Sequence, residues 1–170
     1  MEKKKLNLGC GSKYKEGWIN VDISSIDIYG KQIKIDKNHD LNKFPYPFKE
    51  NEFDIVLLEH TIEHLDEPAK VVKEMERITK SGGIIDIRTP HFSCYHSYRD
   101  PTHKWHFSID SINYLTKNKV TKRILFSHKR IIDFFNSFFY IFSVYPRIYE
   151  RFLHGILPAQ EIIWIINVDK

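Results

Sequence analysis

The chain has 170 residues, of which 42% are hydrophobic and 28% charged, with seven glycines and seven prolines. This length suits one domain with a real core and is short for two, and the composition excludes a disordered chain. The net charge of +4 is modest, and the lysines and arginines are scattered along the sequence, so nothing in the charge pattern indicates a nucleic-acid partner.

Strand-like segments alternate with helical or loop segments through the first half of the sequence. This order predicts an α/β domain with an open, mostly parallel sheet. Lys5–Leu8 and Trp18–Ile23 are predicted strands, and Lys31–Ile35 is a weaker third. Phe53–Leu58 is almost wholly apolar, as expected for a strand that is buried on both faces.

An amphipathic helix is predicted over Asp66–Lys80, because its apolar residues recur with a period near 3.6. Asp66 is a suitable N-cap and Pro68 suits the first turn. The pair Gly82-Gly83 is expected to stop the helix, and the next strand is predicted at Gly83–Arg88.

The second half of the chain gives weaker patterns. A short helix is predicted at Ser108–Lys117, capped by Ser108 and Asp110, followed by strands at Val120–Phe126 and Glu161–Val168. The aromatic-rich stretch Phe134–Phe152 is interpreted as core or as a lid. A cover over an acceptor and a dimer face are the alternatives, so the oligomeric state stays open.

A turn that contains two glycines directly follows the first predicted strand. Gly9, Cys10 and Gly11 would expose backbone N–H groups, which bind a carboxylate as they bind a pyrophosphate. Asp22 ends the next strand, where an acidic side chain can accept hydrogen bonds from both ribose hydroxyls. The two motifs together predict a ribose-containing ligand.

Further motifs follow in a fixed order between Lys5 and Pro90. With the glycine turn and Val21-Asp22, this order resembles that of class I S-adenosylmethionine-dependent methyltransferases. The resemblance implies a Rossmann-like methyltransferase fold in a single domain, with a mostly parallel sheet and an antiparallel C-terminal strand. Asp100–His103 and the last strand are similar to a small predicted methyltransferase subgroup. The motifs are Leu6–Gly11, Val21-Asp22, Asp40-Leu41, Phe44–Phe48, Asn51–Val56, Glu59–Leu65 and Ser81–Gly83.

The resemblance implies S-adenosylmethionine as the cofactor and assigns positions that bind it. The aspartate after the third predicted strand would face the adenine amino group, and the backbone N–H of the leucine after it would face a ring nitrogen. The residues are Gly9, Cys10 and Gly11 at the methionine end, Asp22 at the ribose, Asp40 and Leu41 at the adenine, and Glu59 and His60 beside the sulfonium.

Three features depart from the family pattern. Lys13 stands where many members have a third glycine, and Asn7 replaces the usual acidic residue before the glycine turn. Only ten residues separate Gly11 from Asp22, too few for a helix with its turns. We therefore expect a loop at this crossover, which leaves one side of the pocket open. A non-catalytic module that binds S-adenosylmethionine is the alternative that these departures suggest.

Histidines cluster just beyond the strand predicted at Gly83–Arg88, at the strand end where open α/β sheets build their sites. A histidine can remove a proton from a substrate hydroxyl as the methyl group moves. His91 and His103 are the candidate catalytic residues, with Asp100 as an orienting carboxylate. The other two histidines of the cluster, His96 and His106, are equally well explained as surface groups.

The segment His60–His64 has the form His-x-x-Glu-His, the signature of inverted zinc proteases. On a helix, His60 and His64 would share one face. The segment begins right after a buried strand and is followed by Pro68, as in methyltransferases, which argues against a metal-dependent hydrolase. The later histidine spacing matches no zinc motif. The sequence therefore predicts no metal, and the hydrolase is the weaker alternative.

The sequence as a whole predicts an enzyme that methylates an oxygen or nitrogen of a small-molecule or glycan-type acceptor. The acceptor would meet a pocket formed by residues 88–110 and 128–158. The N-terminus has no apolar segment typical of a signal peptide, and the apolar stretch Ile131–Val144 is too short and polar to span a bilayer. Two cysteines cannot form a disulfide scaffold, so the sequence predicts a cytoplasmic protein.

Overall fold

The computed structural model describes residues 2–27, 30–126, 145–156 and 158–170. Within these ranges, three α-helices are present: α1 (Pro68–Ile78), α2 (Tyr95–Arg99) and α3 (Pro146–Phe152). Single 3-10 turns occur at Ile62–His64 and Ser111–Tyr114. The strands are β1 (Lys5–Leu8), β2 (Ile19–Asp22), β3 (Lys37–Asn38), β4 (Phe53–Glu59), β5 (Thr79–Pro90), β6 (Lys119–Leu125) and β7 (Glu161–Asn167).

The strands form one sheet in the order β3-β2-β1-β4-β5-β7-β6. The first five pair in parallel, whereas β7 runs antiparallel to both β5 and β6. This arrangement confirms the prediction of a mostly parallel sheet with an antiparallel C-terminal strand. Because Leu8 pairs with both Val21 and Leu58, the carboxyl ends of the first, second and fourth strands lie level at one edge of the sheet.

One face of the sheet carries the core. Each buried aliphatic side chain contributes roughly 1.5–3 kcal/mol relative to an exposed one. The apolar stripe of α1 packs in the same cluster, as its 3.6-residue period predicts. Alternate residues on the opposite face, such as Ile55, Ile84 and Ile165, are only half-buried. The buried sheet residues include Leu6, Leu8, Val56, Leu58, Ile85, Ile87, Ile162, Trp164 and Ile166, and those of α1 are Val71, Val72, Met75 and Ile78.

The ends of α1 differ from the prediction. The N-cap is Glu67 and not Asp66, and the helix ends at Ile78, so Gly82-Gly83 lies inside β5 and does not stop the helix. Thr79 leaves the helix because it pairs with Phe53 in the sheet, while its hydroxyl donates to the carbonyl of Met75. Sheet pairing over a long sequence distance therefore overrides the local glycine signal.

Two other predicted elements were wrong in position or type. The third strand is Lys37–Asn38 and not Lys31–Ile35, because the Asp36 carboxylate and amide both bond to the backbone of Asn20 and align the residues that follow with β2. The helix predicted at Ser108–Lys117 is reduced to the 3-10 turn Ser111–Tyr114, which ends before Thr116, where the chain bonds to Glu76 on α1.

The prediction for the second half of the chain can be followed only in part. Ile131–Val144 and the greater part of Phe134–Phe152 fall outside the described residues. Within α3, Tyr149 is fully buried, whereas Ile148 and Phe152 are more than half exposed, so only one residue of that portion belongs to the core. None of the helices in the described ranges has the length and apolar character needed to cross a bilayer.

Candidate active site

The loop after β1 folds around two glycines with left-handed backbone. Gly9 has a φ of 60° and Gly11 a φ of 48°, a region that other residues rarely adopt. A Cβ on Gly9 would lie 2.4 Å from Oγ1 of Thr61, whereas a Cβ on Gly11 would meet nothing within 4 Å. The loop therefore packs tightly against the end of β4 on one side and leaves open space beside Gly11.

Asp22, at the end of β2, shapes this loop. Its Oδ2 accepts a hydrogen bond of 2.7 Å from the Gly11 N–H, and its Oδ1 accepts one of 2.8 Å from the Ile23 N–H. Each carboxylate oxygen keeps a further acceptor position. The N–H of Cys10 donates to the carbonyl of Val21, and burial of the thiol raises the pKa of Cys10 to about 11, so this side chain is neutral.

The connection between β1 and β2 is a loop without a helix, as predicted. Two buried amides hold it in place. The Asn7 amide donates to the carbonyl of Lys13 at 3.1 Å and to Oδ1 of Asn20 at 2.9 Å. The same Asn20 oxygen accepts from the Lys15 N–H, and its amide donates to the Lys15 carbonyl. The asparagine that departs from the family pattern is thus a support of the shortened crossover.

The two residues predicted at the adenine lie at the same edge of the sheet. The His39 N–H donates to the carbonyl of Asp22 at 2.9 Å, which places the next residues beside the end of β2. Asp40 accepts a hydrogen bond from the Asn42 N–H. Leu41 is buried, and its carbonyl accepts from the hydroxyl of Tyr46. Hydrogen bonds at His39 and at Leu41 therefore hold Asp40 in place from both sides.

Glu59 and His60 end β4 at the same edge. Glu59 forms an ion pair of 2.6 Å with Lys13. His60 has a φ of 50°, a conformation that is rare for a side chain of this size. Its Nε2 lies 2.8 Å from Glu161, and this hydrogen bond, followed by the interaction with Glu63, raises the pKa of His60 to about 9. At neutral pH His60 is therefore an imidazolium, which donates and cannot act as a base.

A cavity of about 630 Å³ opens next to these residues. We call it the histidine cavity, because four histidines line it with two carboxylates. His103 and Asp100, which the sequence grouped as candidates, both line this cavity. The residues of interest on its wall are His60, Glu63, His64, His96, Asp100 and His103.

The structure separates His91 from the other two candidates. Its side chain is fully buried in the core. The Nδ1 atom lies 2.8 Å from Oγ of Ser93, and Nε2 lies 2.9 Å from Oε1 of Glu150. Both ring nitrogens are thus engaged, and the ring has no face open to an acceptor. His106 also lies outside the cavity wall, where it stacks on Tyr98 and contacts Oγ of Ser97.

The helix that an inverted zinc protease needs is not formed. Ile62–His64 is a single 3-10 turn, and His60 stands before it in a left-handed conformation. His60 and His64 therefore do not share a helix face, and the hydrolase alternative lacks the geometry that motivated it.

Glu161 is a residue of this region that the sequence did not identify. It reaches the edge because β7 runs antiparallel to β5 and pairs Pro90 with Glu161, so the beginning of the last strand meets the ends of the parallel strands. No local motif marks it. The sequence held only an indirect signal. Glu161 is an acidic residue at the first position of the last strand, and an antiparallel last strand begins at the edge where the parallel strands end.

Comparison with known proteins finds a methyltransferase domain in the first half of the chain. A family model described as a methyltransferase domain matches residues 6–87. No curated protein is a detectable sequence relative of this chain.

Solved structures share the whole fold at low identity. A SAM-dependent methyltransferase from Archaeoglobus fulgidus is 20% identical with a TM-score of 0.67, over 96% of this chain and 85% of that one. One from Mesorhizobium loti is 12% identical with a TM-score of 0.62, over 96% and 89% of the two chains. A possible histamine N-methyltransferase from Thermotoga maritima is 17% identical with a TM-score of 0.59, over 99% and 84%. The family model thus covers just under half of the chain, and the solved structures show that the chain has the fold of SAM-dependent methyltransferases.

Proposed function

We propose that the chain binds S-adenosylmethionine along the carboxyl ends of β1, β2 and β4, which we call the cofactor edge, and methylates an acceptor in the histidine cavity. The acceptor atom is an oxygen or nitrogen of a small molecule or glycan-type compound. The observation that carries the proposal is the open space beside Gly11, whose own N–H is held by the Asp22 carboxylate through a bond of 2.7 Å.

The residues at the cofactor edge fit an adenosyl amino acid. The open space beside Gly11 leaves room for the methionine end, since no atom lies within 4 Å of a Cβ built there. Asp22 keeps acceptor positions for the two ribose hydroxyls. Asp40 and Leu41 would hold the adenine, and the Glu59 carboxylate would lie beside the positive sulfur.

When bound, S-adenosylmethionine supplies an electrophilic methyl carbon and a neutral thioether leaving group. The chain has to align the acceptor with that carbon and deal with the acceptor's proton. His60, a cation at neutral pH, can donate a hydrogen bond to the acceptor. Of the two candidate catalytic histidines, His103 is the one that can accept the acceptor's proton. Its Nδ1 lies 2.9 Å from the carbonyl oxygen of Ser97 and must donate there, which leaves a lone pair on Nε2.

Calorimetry with S-adenosylmethionine and with S-adenosylhomocysteine tests the proposal. Wild type should bind both, and Asp22→Ala should bind at least about 100-fold more weakly, because hydrogen bonds to a charged group contribute roughly 1.5–3 kcal/mol each. Asp54→Ala is a matched control, since Asp54 lies at the opposite end of the sheet, where it pairs with Lys80. Absence of binding heat with folded wild-type protein would overturn the proposal. Detectable methyl transfer to any acceptor would exclude the non-catalytic alternative.

A further inference from the structure

Three side chains on the wall of the histidine cavity direct ligand atoms at one point. Glu63 and His64 belong to the 3-10 turn after β4, and His103 follows α2. One carboxylate oxygen of Glu63 and one ring nitrogen of each histidine all lie within 4.8 Å of one another. Ligand atoms around one zinc ion stand at about 2.0–2.2 Å from it, so small side-chain rotations would bring the three onto one ion.

Glu63 gives an independent indication of a cation. Its side chain is only 1% exposed. The Oε2 atom accepts a hydrogen bond of 3.1 Å from the hydroxyl of Thr89, whereas Oε1 has no hydrogen-bond partner among the described residues. Nδ1 of His60 lies 3.7 Å from Oε1, too far for a hydrogen bond, and Glu161 holds the other nitrogen of that ring. The His60 imidazolium is therefore an ion-pair partner of Oε1 but makes no hydrogen bond to it, and a buried carboxylate oxygen without a directly bound donor or metal ion is costly.

The hydrogen bonds of the two histidines fix which nitrogen is free. Thr102 donates its hydroxyl proton to Asp100 at 2.7 Å, so at 2.9 Å its oxygen accepts from Nδ1 of His64. In the same way, Nδ1 of His103 donates to the carbonyl of Ser97. Both rings therefore keep the lone pair on Nε2. Metal-binding histidines are typically oriented by such bonds from the other ring nitrogen to a carbonyl or a carboxylate.

We propose that Glu63, His64 and His103 form a binding site for a divalent transition-metal ion of the zinc class, with its remaining coordination positions open to the histidine cavity. Two imidazole nitrogens and one carboxylate oxygen are a donor set that suits zinc and the neighbouring first-row ions. This inference replaces the prediction from sequence that the chain holds no metal. The sequence spacing could not reveal the site, because His103 joins the other two only in the folded chain.

Such an ion would act on the acceptor in place of His103 as a base, because the lone pair on Nε2 of His103 would then bind the metal. An acceptor oxygen in an open coordination position would be held in place and its pKa would be lowered, which would make it a better nucleophile toward the methyl carbon. This role rests on the proposed function, whereas the binding of the ion does not.

Metal titration of untagged protein, freed of metal and without S-adenosylmethionine, tests the site. Zn²⁺ binding is followed by calorimetry, and Co²⁺ binding by its visible absorption. We expect one ion per chain. Thr102→Val should weaken binding about 10–100-fold, as is typical when a residue that orients a metal-binding histidine is lost, and His64→Ala and His103→Ala should weaken it more.

His106→Ala is the matched control, because His106 lies on the same loop but outside the cavity wall, and its affinity should equal that of wild type. Glu63→Gln is a further variant, and its circular dichroism shows whether it is folded. No bound ion in wild type, or equal affinity in His103→Ala, Thr102→Val and wild type, would overturn the proposal. Calorimetry of the same samples with S-adenosylhomocysteine reports on the proposed function separately.

Discussion

The cofactor edge and the histidine cavity adjoin each other but are built in different ways. The glycine loop and the aspartate of the cofactor edge lie within Gly9–Asp22, and a parallel strand pair joins them directly. The cavity collects its wall from segments around His60, Asp100 and Glu161. A site made from neighbouring segments of one strand pair can be predicted from motifs in the sequence. A site made from distant loops depends on pairings that no local pattern contains.

The largest effect on stability is expected for a substitution of Gly9, the first glycine of the cofactor edge. Gly9→Ala should lower the free energy of unfolding by about 2–5 kcal/mol, because a left-handed backbone is strained by a side chain and the new Cβ would lie 2.4 Å from Thr61. Gly11→Ala should lower it by only about 1 kcal/mol, since its Cβ meets no neighbour.

Urea denaturation measures both variants, and calorimetry with S-adenosylhomocysteine separates them further. Gly11→Ala should remain folded and yet bind more weakly, since its methyl group occupies the space proposed for the methionine end. Equal stability of the two variants would contradict the close packing of Gly9 on Thr61.

The two histidines named as catalytic candidates should respond in opposite ways. His91→Ala should lower the free energy of unfolding by about 2–4 kcal/mol, because it leaves a cavity and removes one of the hydrogen-bond partners of Glu150. His103→Ala should change it by less than about 1 kcal/mol, since the ring lies on the cavity wall. Thermal and urea unfolding followed by circular dichroism test this pair. A His91 variant as stable as wild type would show that the buried contact contributes nothing.

Much of the fold follows from local sequence. The period of Val71, Val72, Met75 and Ile78 indicates the buried face of α1, and the apolar run at Phe53–Leu58 indicates the central strand. Both depend on side chains that the chain buries in a regular repeat. Such patterns predict that an element exists, and they do so without knowledge of its partners.

The wrong predictions fall where a contact with a residue distant in the sequence determines the local structure. Thr79 leaves α1 because it pairs with Phe53, and β3 begins after Asp36 because that carboxylate bonds to Asn20. The same limit applies to the site. His91 follows a strand end as a catalytic histidine would, but Glu150 draws its ring into the core. Only the folded chain distinguishes these outcomes.

A third prediction concerns the departure from the family pattern at Asn7. Asn7→Asp introduces the acidic residue that the resemblance to methyltransferases leads one to expect, yet it should lower the free energy of unfolding by about 2–3 kcal/mol. The Asn7 amide donates to two oxygens, the carbonyl of Lys13 and Oδ1 of Asn20, and a carboxylate can only accept. Asn20 cannot turn its amide to compensate, because its Oδ1 already accepts from the Lys15 N–H.

Asn38→Asp is the control for this change. Asn38 is exposed and donates to one carbonyl, that of Ile23, so a loss within about 0.5 kcal/mol is expected. Chemical denaturation of both variants gives the comparison. If Asn7→Asp were as stable as wild type, the two buried amides would not be the support of the shortened crossover.

The smallest effect on stability is expected at Lys13, which joins the loop between β1 and β2 to the end of β4 within the cofactor edge. Its ion pair with Glu59 is half exposed, so Lys13→Ala should change the free energy of unfolding by no more than about 0.5 kcal/mol. The effect on ligands should be selective. S-adenosylmethionine carries a positive sulfur and S-adenosylhomocysteine does not. Without Lys13, the Glu59 carboxylate is no longer shared, and the preference for the charged ligand should rise about two- to fivefold.

Calorimetry with both ligands, on Lys13→Ala, Glu59→Gln and the double variant, resolves the contribution of the pair. Glu59→Gln should lower the preference for S-adenosylmethionine, and removal of Lys13 should then have no further effect on it, because its influence acts through the carboxylate. An equal loss of affinity for both ligands in Lys13→Ala would contradict this account. It would place the ammonium on the amino-acid carboxylate, which the two ligands have in common, and would make the lysine in place of the third glycine a direct contact of the cofactor.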